Sequence, residues 1–147
     1  METLPAEIGE TAHALRKAFT RRAASLGVTG AQWKVLFKLK RKPDLRQAEL
    51  ADLLDIEPIT LSRIIDRLQE AGLIEREPDP ADRRAWRLHN TAKAQPIVEK
   101  LQAVADEMTA EAFAGVDAAD IETVRRVLAQ VRERAGHFGI LSKVANQ

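Results

Sequence analysis

Apolar residues recur in threes and fours along six separate stretches of this chain, and each stretch predicts an amphipathic helix. In the first, from about Pro5 to Ser25, Ile8, Ala12, Leu15, Phe19, Ala23 and Leu26 form one narrow seam, with Thr3 placed to cap the start. The second opens at "TGAQ" (29–32), a capping box with Thr29 as N-cap and Gln32 reaching back. It carries Trp33, Val35, Leu36, Phe37 and Leu39, apolar on most sides, and should be the central buried helix, running to about Lys40. A short third helix lies in "LRQAELADLLDI", with Leu50, Leu53 and Leu54 facing inward. After the tight turn "DIEP", Pro58 opens a fourth helix whose Leu61, Ile64, Ile65 and Leu68 fall at i, i+3, i+4 and i+7; Gly72 stops it. A long fifth helix follows Thr91 with Ile97, Leu101, Val104 and Met108 on one stripe, and Pro96 predicts a kink or a late start there. The sixth opens at Asp117, repeats Ile121, Val124, Leu128 and Val131, and stops before Gly136.

Between the fourth and fifth helices the pattern changes. "LIEREP" and "AWRLHN" read as two short strands flanking "DPADRR", where Pro78 and Pro80 forbid regular pairing and impose a loop. Two helices joined by a tight turn, the second polar at its N-terminal end, followed by strand, arginine-bearing loop and strand, make a winged helix-turn-helix. The fold class is therefore mainly α with a small β-hairpin, in a single domain over 1–147. The winged helix-turn-helix occupies about 29–90. The seams on the flanking segments, about 3–28 and 91–147, find no partner within so small a winged domain and would be sticky if exposed. Two chains sharing them remove that exposure and create the two-fold axis that a palindromic DNA site requires.

Composition narrows the function. The 147 residues are 45% hydrophobic and 31% charged, which is ordinary for a globular protein, and the formal net charge is only +1. Any basic surface must then be local, and the basic residues concentrate in "KLKRK" (38–42) and "RRAWR" (83–87), on either side of the fourth helix. With no cysteine, disulfides and thiolate metal sites are excluded. His13, His89 and His137 are too scattered for a local metal motif, so neither metal nor cofactor is expected. No apolar run approaches the ~18 residues of a membrane span. The acidic start "METLPAEIGE" has no apolar core of a secretory signal, which makes the cytoplasm the expected location. No nucleophile motif or phosphate-cradling glycine loop is present, and an enzyme is not expected.

The segments "VTGAQWKVLFKL" and "ELADLLDIEPITLSRIIDRLQEAGLIEREPDPADRRA" resemble the multiple-antibiotic-resistance regulator (MarR) family of transcription factors. The resemblance extends over nearly the whole chain, and Asp82-Arg83-Arg84-Ala85 in the wing is its most specific piece. Three positions depart from the family pattern: Arg46 replaces a capping Ser or Thr, Asn90 a Leu, and Ala94 a Gly. The resemblance implies a homodimeric, mostly helical regulator whose N- and C-terminal helices make the dimer, each subunit offering one winged helix-turn-helix to double-stranded DNA.

Candidate DNA-binding residues follow. Thr60, Ser62 and Arg63 lie in the first turn and a half of the fourth helix, where short hydroxyls permit close approach to the groove and Arg63 reaches base acceptors or phosphate. Arg67, one turn on, suits phosphate. In the wing, Asp82 beside two arginines invites an internal salt bridge that leaves one arginine extended. By the resemblance that residue, Arg84 first and Arg83 second, is a minor-groove probe. Arg76 and Arg87 on the strands, with Arg46 and Gln47 at the start of the third helix, are candidates for phosphate. Relatives in the family bind small aromatic or phenolic molecules between the dimer helices and the winged domain. Here that implies His13, Arg16, Trp33 and Phe37, a cation beside aromatic walls suited to an aromatic acid effector. The expected function is a repressor on a palindromic operator; the alternative is a winged-helix scaffold that binds a protein partner and not DNA.

Overall fold

The computed structural model describes residues 2–139, so Met1 and 140–147, the end of the C-terminal flanking segment, lie outside the described residues. All six helices form: α1 (Leu4–Ala23), α2 (Gly30–Arg41), α3 (Gln47–Leu54), α4 (Pro58–Glu70), α5 (Gln95–Ala112) and α6 (Ala118–Gly136). Their ends have local causes. Thr3 Oγ1 accepts from the amide of Ala6, and the capping box at Thr29 is complete, with the Gln32 amide donating to Thr29 Oγ1 at 3.2 Å and Gln32 Oε1 accepting from the Thr29 amide at 3.1 Å. Arg46 is not a capping side chain of the usual kind, but half a box survives, since its amide donates to Glu49 Oε1. Gly72, at φ +76°, ends α4, and the Leu73 amide returns to the Leu68 carbonyl, the closure that left-handed glycine permits. Pro96 gives the late start: a 3-10 turn over Ala92–Ala94 precedes α5, leaving Pro96 in the first turn, where its missing N–H costs nothing.

The hairpin gains a third strand. β2 (Ile74–Pro78) and β3 (Trp86–Asn90) pair antiparallel, and β1 (Leu45–Arg46) pairs antiparallel with the other edge of β3, giving the order β1-β3-β2. Pro78 is tolerated as the last residue of an edge strand, opposite Trp86. One face of this sheet joins a core built from α1, α2, α3, α4 and α5, with Leu36, Leu50, Leu61, Ile65, Leu88 and Leu101 fully buried. Three expectations change. Leu53 is 45% exposed and not inward-facing; Val98 is buried on α5 more deeply than Met108; and the C-terminal half of the first seam, Phe19 and Ala23, packs into the winged core, leaving Ile8 and Leu4 exposed.

The chain divides into two compact units, the first ending at Thr109 and the second beginning at Ala110. In the second, α6 buries none of its described residues, and Val124, Val127 and Val131 stand open. Among the described residues no helix is long and apolar enough to cross a membrane.

Candidate nucleic-acid interface

The fourth helix divides its surface into three stripes. Leu61, Ile65 and Leu68 are buried and Ile64 is half-buried, which fixes the helix on the core. Thr60, Arg63 and Arg67 are exposed on the outer side, as the sequence spacing required, and Ile59 is exposed beside them. Ser62 does not join that row. It belongs to a third stripe, Ser62, Asp66 and Gln69 at i, i+4 and i+7, which receives Arg76 from β2.

Arg76 thereby acts as a staple. Its Nη1 donates to Asp66 Oδ1 at 2.6 Å and to Gln69 Oε1 at 2.9 Å, its Nη2 to the Ser62 carbonyl at 3.3 Å, and its Nε to Gln47 Oε1 at 3.2 Å. Only 16% of the side chain is exposed. Two expected phosphate ligands, Arg76 and Gln47, are thus placed against each other, tying α3, α4 and β2 together.

The wing loop is organised by Asp79, which sequence reasoning missed. Its side chain is fully buried, and Oδ2 accepts from Arg46 Nε at 2.8 Å and from Arg87 Nε at 2.9 Å. Oδ1 accepts from the amide of Ala81 at 2.8 Å, and the Asp79 amide closes the loop onto the Ala85 carbonyl. The Arg87 hydrogen bond, then the Ala81 amide, and the adjacent Arg46 hold this carboxyl far below the usual carboxylate range, against the opposing effect of burial. Asp79 in turn raises Arg87. A signal was present: Asp-Pro favours a turn start, and an Asp bonding the amide two residues on is the usual Asx turn. Arg46 and Arg87 each spend their Nε–H on Asp79 and keep about two-fifths of their side chains exposed, so they stand together at the base of the wing.

Asp82 plays a different part from the expected salt bridge. Its Oδ1 accepts from the Arg84 amide at 2.9 Å, and its carbonyl from the Ala85 amide. Arg83 and Arg84 are both exposed at the loop tip and, among the described residues, neither has an ion-pair partner. The arrangement offers phosphate- or groove-seeking cations at three heights: Arg63 and Arg67 on the helix, Arg46 and Arg87 at the wing base, Arg83 and Arg84 at its tip.

The effector candidates are brought together in part. A groove of about 950 Å³ is lined by Arg16, Trp33 and Phe37, and also by Lys34, Lys38 and Arg41. His13 is exposed and is not among its lining residues. Trp33 and Phe37 are at once walls and structure: Trp33 Nε1 donates to Thr20 Oγ1 at 3.0 Å, and the rings pack on Phe19, Trp33 edge-on and Phe37 tilted, at centroid distances of 4.6 and 5.6 Å. The "KLKRK" run supplies much of the groove's positive charge, through Lys38, Lys40 and Arg41.

The MarR family model matches residues 28–86, from just before α2 to the first residue of β3. Solved structures agree over a longer span. The transcriptional regulator PA3341 superposes with a TM-score of 0.82 at 28% identity, over 92% of this chain and 100% of that one. Wild-type MarR from E. coli in its apo form gives 0.79 at 26% identity, over 89% and 98%. A MarR family transcriptional regulator from Listeria monocytogenes, complexed with 26mer DNA, gives 0.79 at 25% identity, over 91% and 89%. PA3341 and the Listeria protein are both named as transcriptional regulators.

Proposed function

We propose that the chain, whose residues 28–86 match the MarR family model, is a regulator of that family: dimeric, sequence-specific in DNA binding, a cytoplasmic repressor that occupies a palindromic operator and is released by a small aromatic acid. The observation that carries the reading is the exposed row Thr60, Arg63 and Arg67 on a helix held by Arg76 to a wing whose Arg83 and Arg84 are free. A helix with one buried stripe needs no such row, and a charged loop needs no buried carboxylate to shape it.

In this reading Arg63 and Thr60 meet base edges in the major groove, Arg67, Arg46 and Arg87 neutralise phosphates, and Arg84, with Arg83 beside it, enters the adjacent minor groove. Ser62, Gln47 and Arg76 contribute by holding the reading head in shape. The Listeria relative is complexed with DNA, which supports the same use of this fold here. The open valines of α6 supply the dimer surface, and the groove lined by Arg16, Trp33 and Phe37 takes an anionic ring.

The test is a salt titration of affinity for a palindromic duplex selected from random DNA. Groove binding through several phosphates predicts a steep linear fall of log K with log salt, with a slope of about −0.9 per phosphate contact. A selection that enriches no sequence, with a flat salt response, would overturn it.

A further inference from the structure

The outer face of the wing sheet carries a second constellation that DNA reading does not use. The register places His89 of β3 opposite Glu75 of β2, with Glu77 on the same face two residues along and Asp44 just before β1. His89 Nε2 lies 3.1 Å from Glu75 Oε2 and 3.5 Å from Glu77 Oε1, and these three donors are all within 4.8 Å of one another. On the other side of the ring, Nδ1 is buried, has no hydrogen-bond partner, and lies 3.5 Å from Asp44 Oδ1. We propose that His89, Glu75 and Glu77 form a binding site for a first-row divalent cation, oriented by Asp44.

The chemistry of the ring carries the argument. A neutral imidazole has one N–H and one lone pair. With carboxylates at both nitrogens, directing the N–H at Asp44 leaves the Nε2 lone pair facing two carboxylate oxygens, an arrangement that repels unless a cation sits between them. Directing it at Glu75 leaves the buried Nδ1 lone pair against Asp44. For the neutral ring a cation at Nε2, where imidazolium would carry its second proton, removes the conflict and yields the carboxylate–histidine–metal order in which the outer carboxylate fixes ring and tautomer. Ligand bonds of about 2.0–2.2 Å around a four-coordinate ion place neighbouring donors roughly 3.3 Å apart, and the two edges at His89 already have that size. One imidazole with two carboxylates favours a borderline ion such as Zn²⁺ over Mg²⁺ or Ca²⁺, which seek oxygen donors alone. Glu75 and Glu77 are exposed, so water completes the shell.

A bound ion would join β2 to β3 and offset three carboxylates on the wing. Resting on the DNA-binding reading, the inference therefore includes tighter operator binding when Zn²⁺ is present. The site itself is tested without DNA. Untagged, chelator-stripped full-length protein is titrated calorimetrically with Zn²⁺, and long-range ¹H–¹⁵N spectra follow the histidines. Expected are one site per chain at micromolar Zn²⁺, metal-induced displacement of the His89 Nε2 resonance while His13 and His137 stay in place, and loss of the site in the Glu75→Gln, Glu77→Gln double variant. Asp44→Asn should weaken it by about tenfold. Equal uptake by wild type and double variant, no uptake at micromolar Zn²⁺, or a His89 ring that keeps both N–H groups in excess Zn²⁺ each overturns the site. DNA arms then separate the two readings: a chain that takes up Zn²⁺ but binds no duplex refutes the regulator and keeps the site. One that binds its operator equally with Zn²⁺ or chelator, and takes up none, does the reverse.

Discussion

Arg46 and Arg87, on strands β1 and β3 and opposite each other in the register, donate to the same oxygen of Asp79, at 2.8 and 2.9 Å. Two guanidinium groups that would repel are held side by side by one buried carboxylate. Because that carboxyl is depressed in the folded chain, its contribution to stability is present above the unfolded-state value of about 3.9 and is lost as pH falls through that value towards the folded one.

The first expectation concerns this carboxylate. Asp79→Asn should lower Tm by roughly 5 °C at neutral pH and flatten the acid limb of the stability curve below about pH 4. Thermal unfolding followed across pH checks it; an unchanged acid limb would show that the two arginines gain nothing from the charge.

Arg63 and Arg67 should part company on DNA. Arg63→Ala should cost roughly 1–3 kcal/mol on the selected operator and relax specificity, whereas Arg67→Ala should weaken all sequences alike and reduce the salt slope by about one. Titrations on specific and scrambled duplexes at several salt concentrations decide. Equal, sequence-independent losses would reduce Arg63 to a phosphate ligand.

Arg76 should behave as structure. Arg76→Ala removes charge-assisted hydrogen bonds to two helices and should destabilise the fold by about 2 kcal/mol. Arg76→Lys should not restore it, because Nε and both terminal nitrogens are engaged and an ammonium cannot reproduce that fork. Denaturant melts supply the measurement, and full rescue by lysine would mean that charge alone matters.

If α6 pairs two chains as proposed, Leu128→Asp puts a charge on its seam and should split or unfold the dimer. Sedimentation showing an unchanged folded dimer would remove α6 from the interface. Footprints of the intact protein should show two half-sites about 10 base pairs apart or near a multiple of one turn.

The effector expectation is a reciprocal one. Salicylate-like acids bound between Arg16 and Trp33 should weaken operator binding by roughly 1–3 kcal/mol, and DNA should weaken their binding by the same factor. Trp33 fluorescence in a Trp86→Phe background reports both. Binding unaltered by Arg16→Ala would move the ligand elsewhere.

What could be read from the sequence, and what could not, divides by range. The Thr29 capping box, the stripe of α4 and the stop at Gly72 depend on residues within a turn or two, and all stand in the structure. Residues 45 and 46 are too few to show a strand period, so β1 appears only when β3 is beside it. Asp79 meets Arg46 across 33 positions, and no local pattern announces that meeting. The arginines of the candidate interface were legible as charges on a helix, strand or loop. Which of them were already spent, Arg76 above all, depended on the third stripe of α4, where Ser62 had looked like a groove contact.

The Arg76 staple also bears on how an operator would be found. A wing hinged loosely to its helix would have to be ordered at each encounter, and association would carry the heat-capacity signature of coupled folding. With β2 already bonded to α3 and α4, the two reading elements arrive as one preset shape. Little ordering entropy is then spent on binding, collisions are limited chiefly by orientation and ionic steering, and the heat-capacity change should scale with the apolar area buried at the DNA surface.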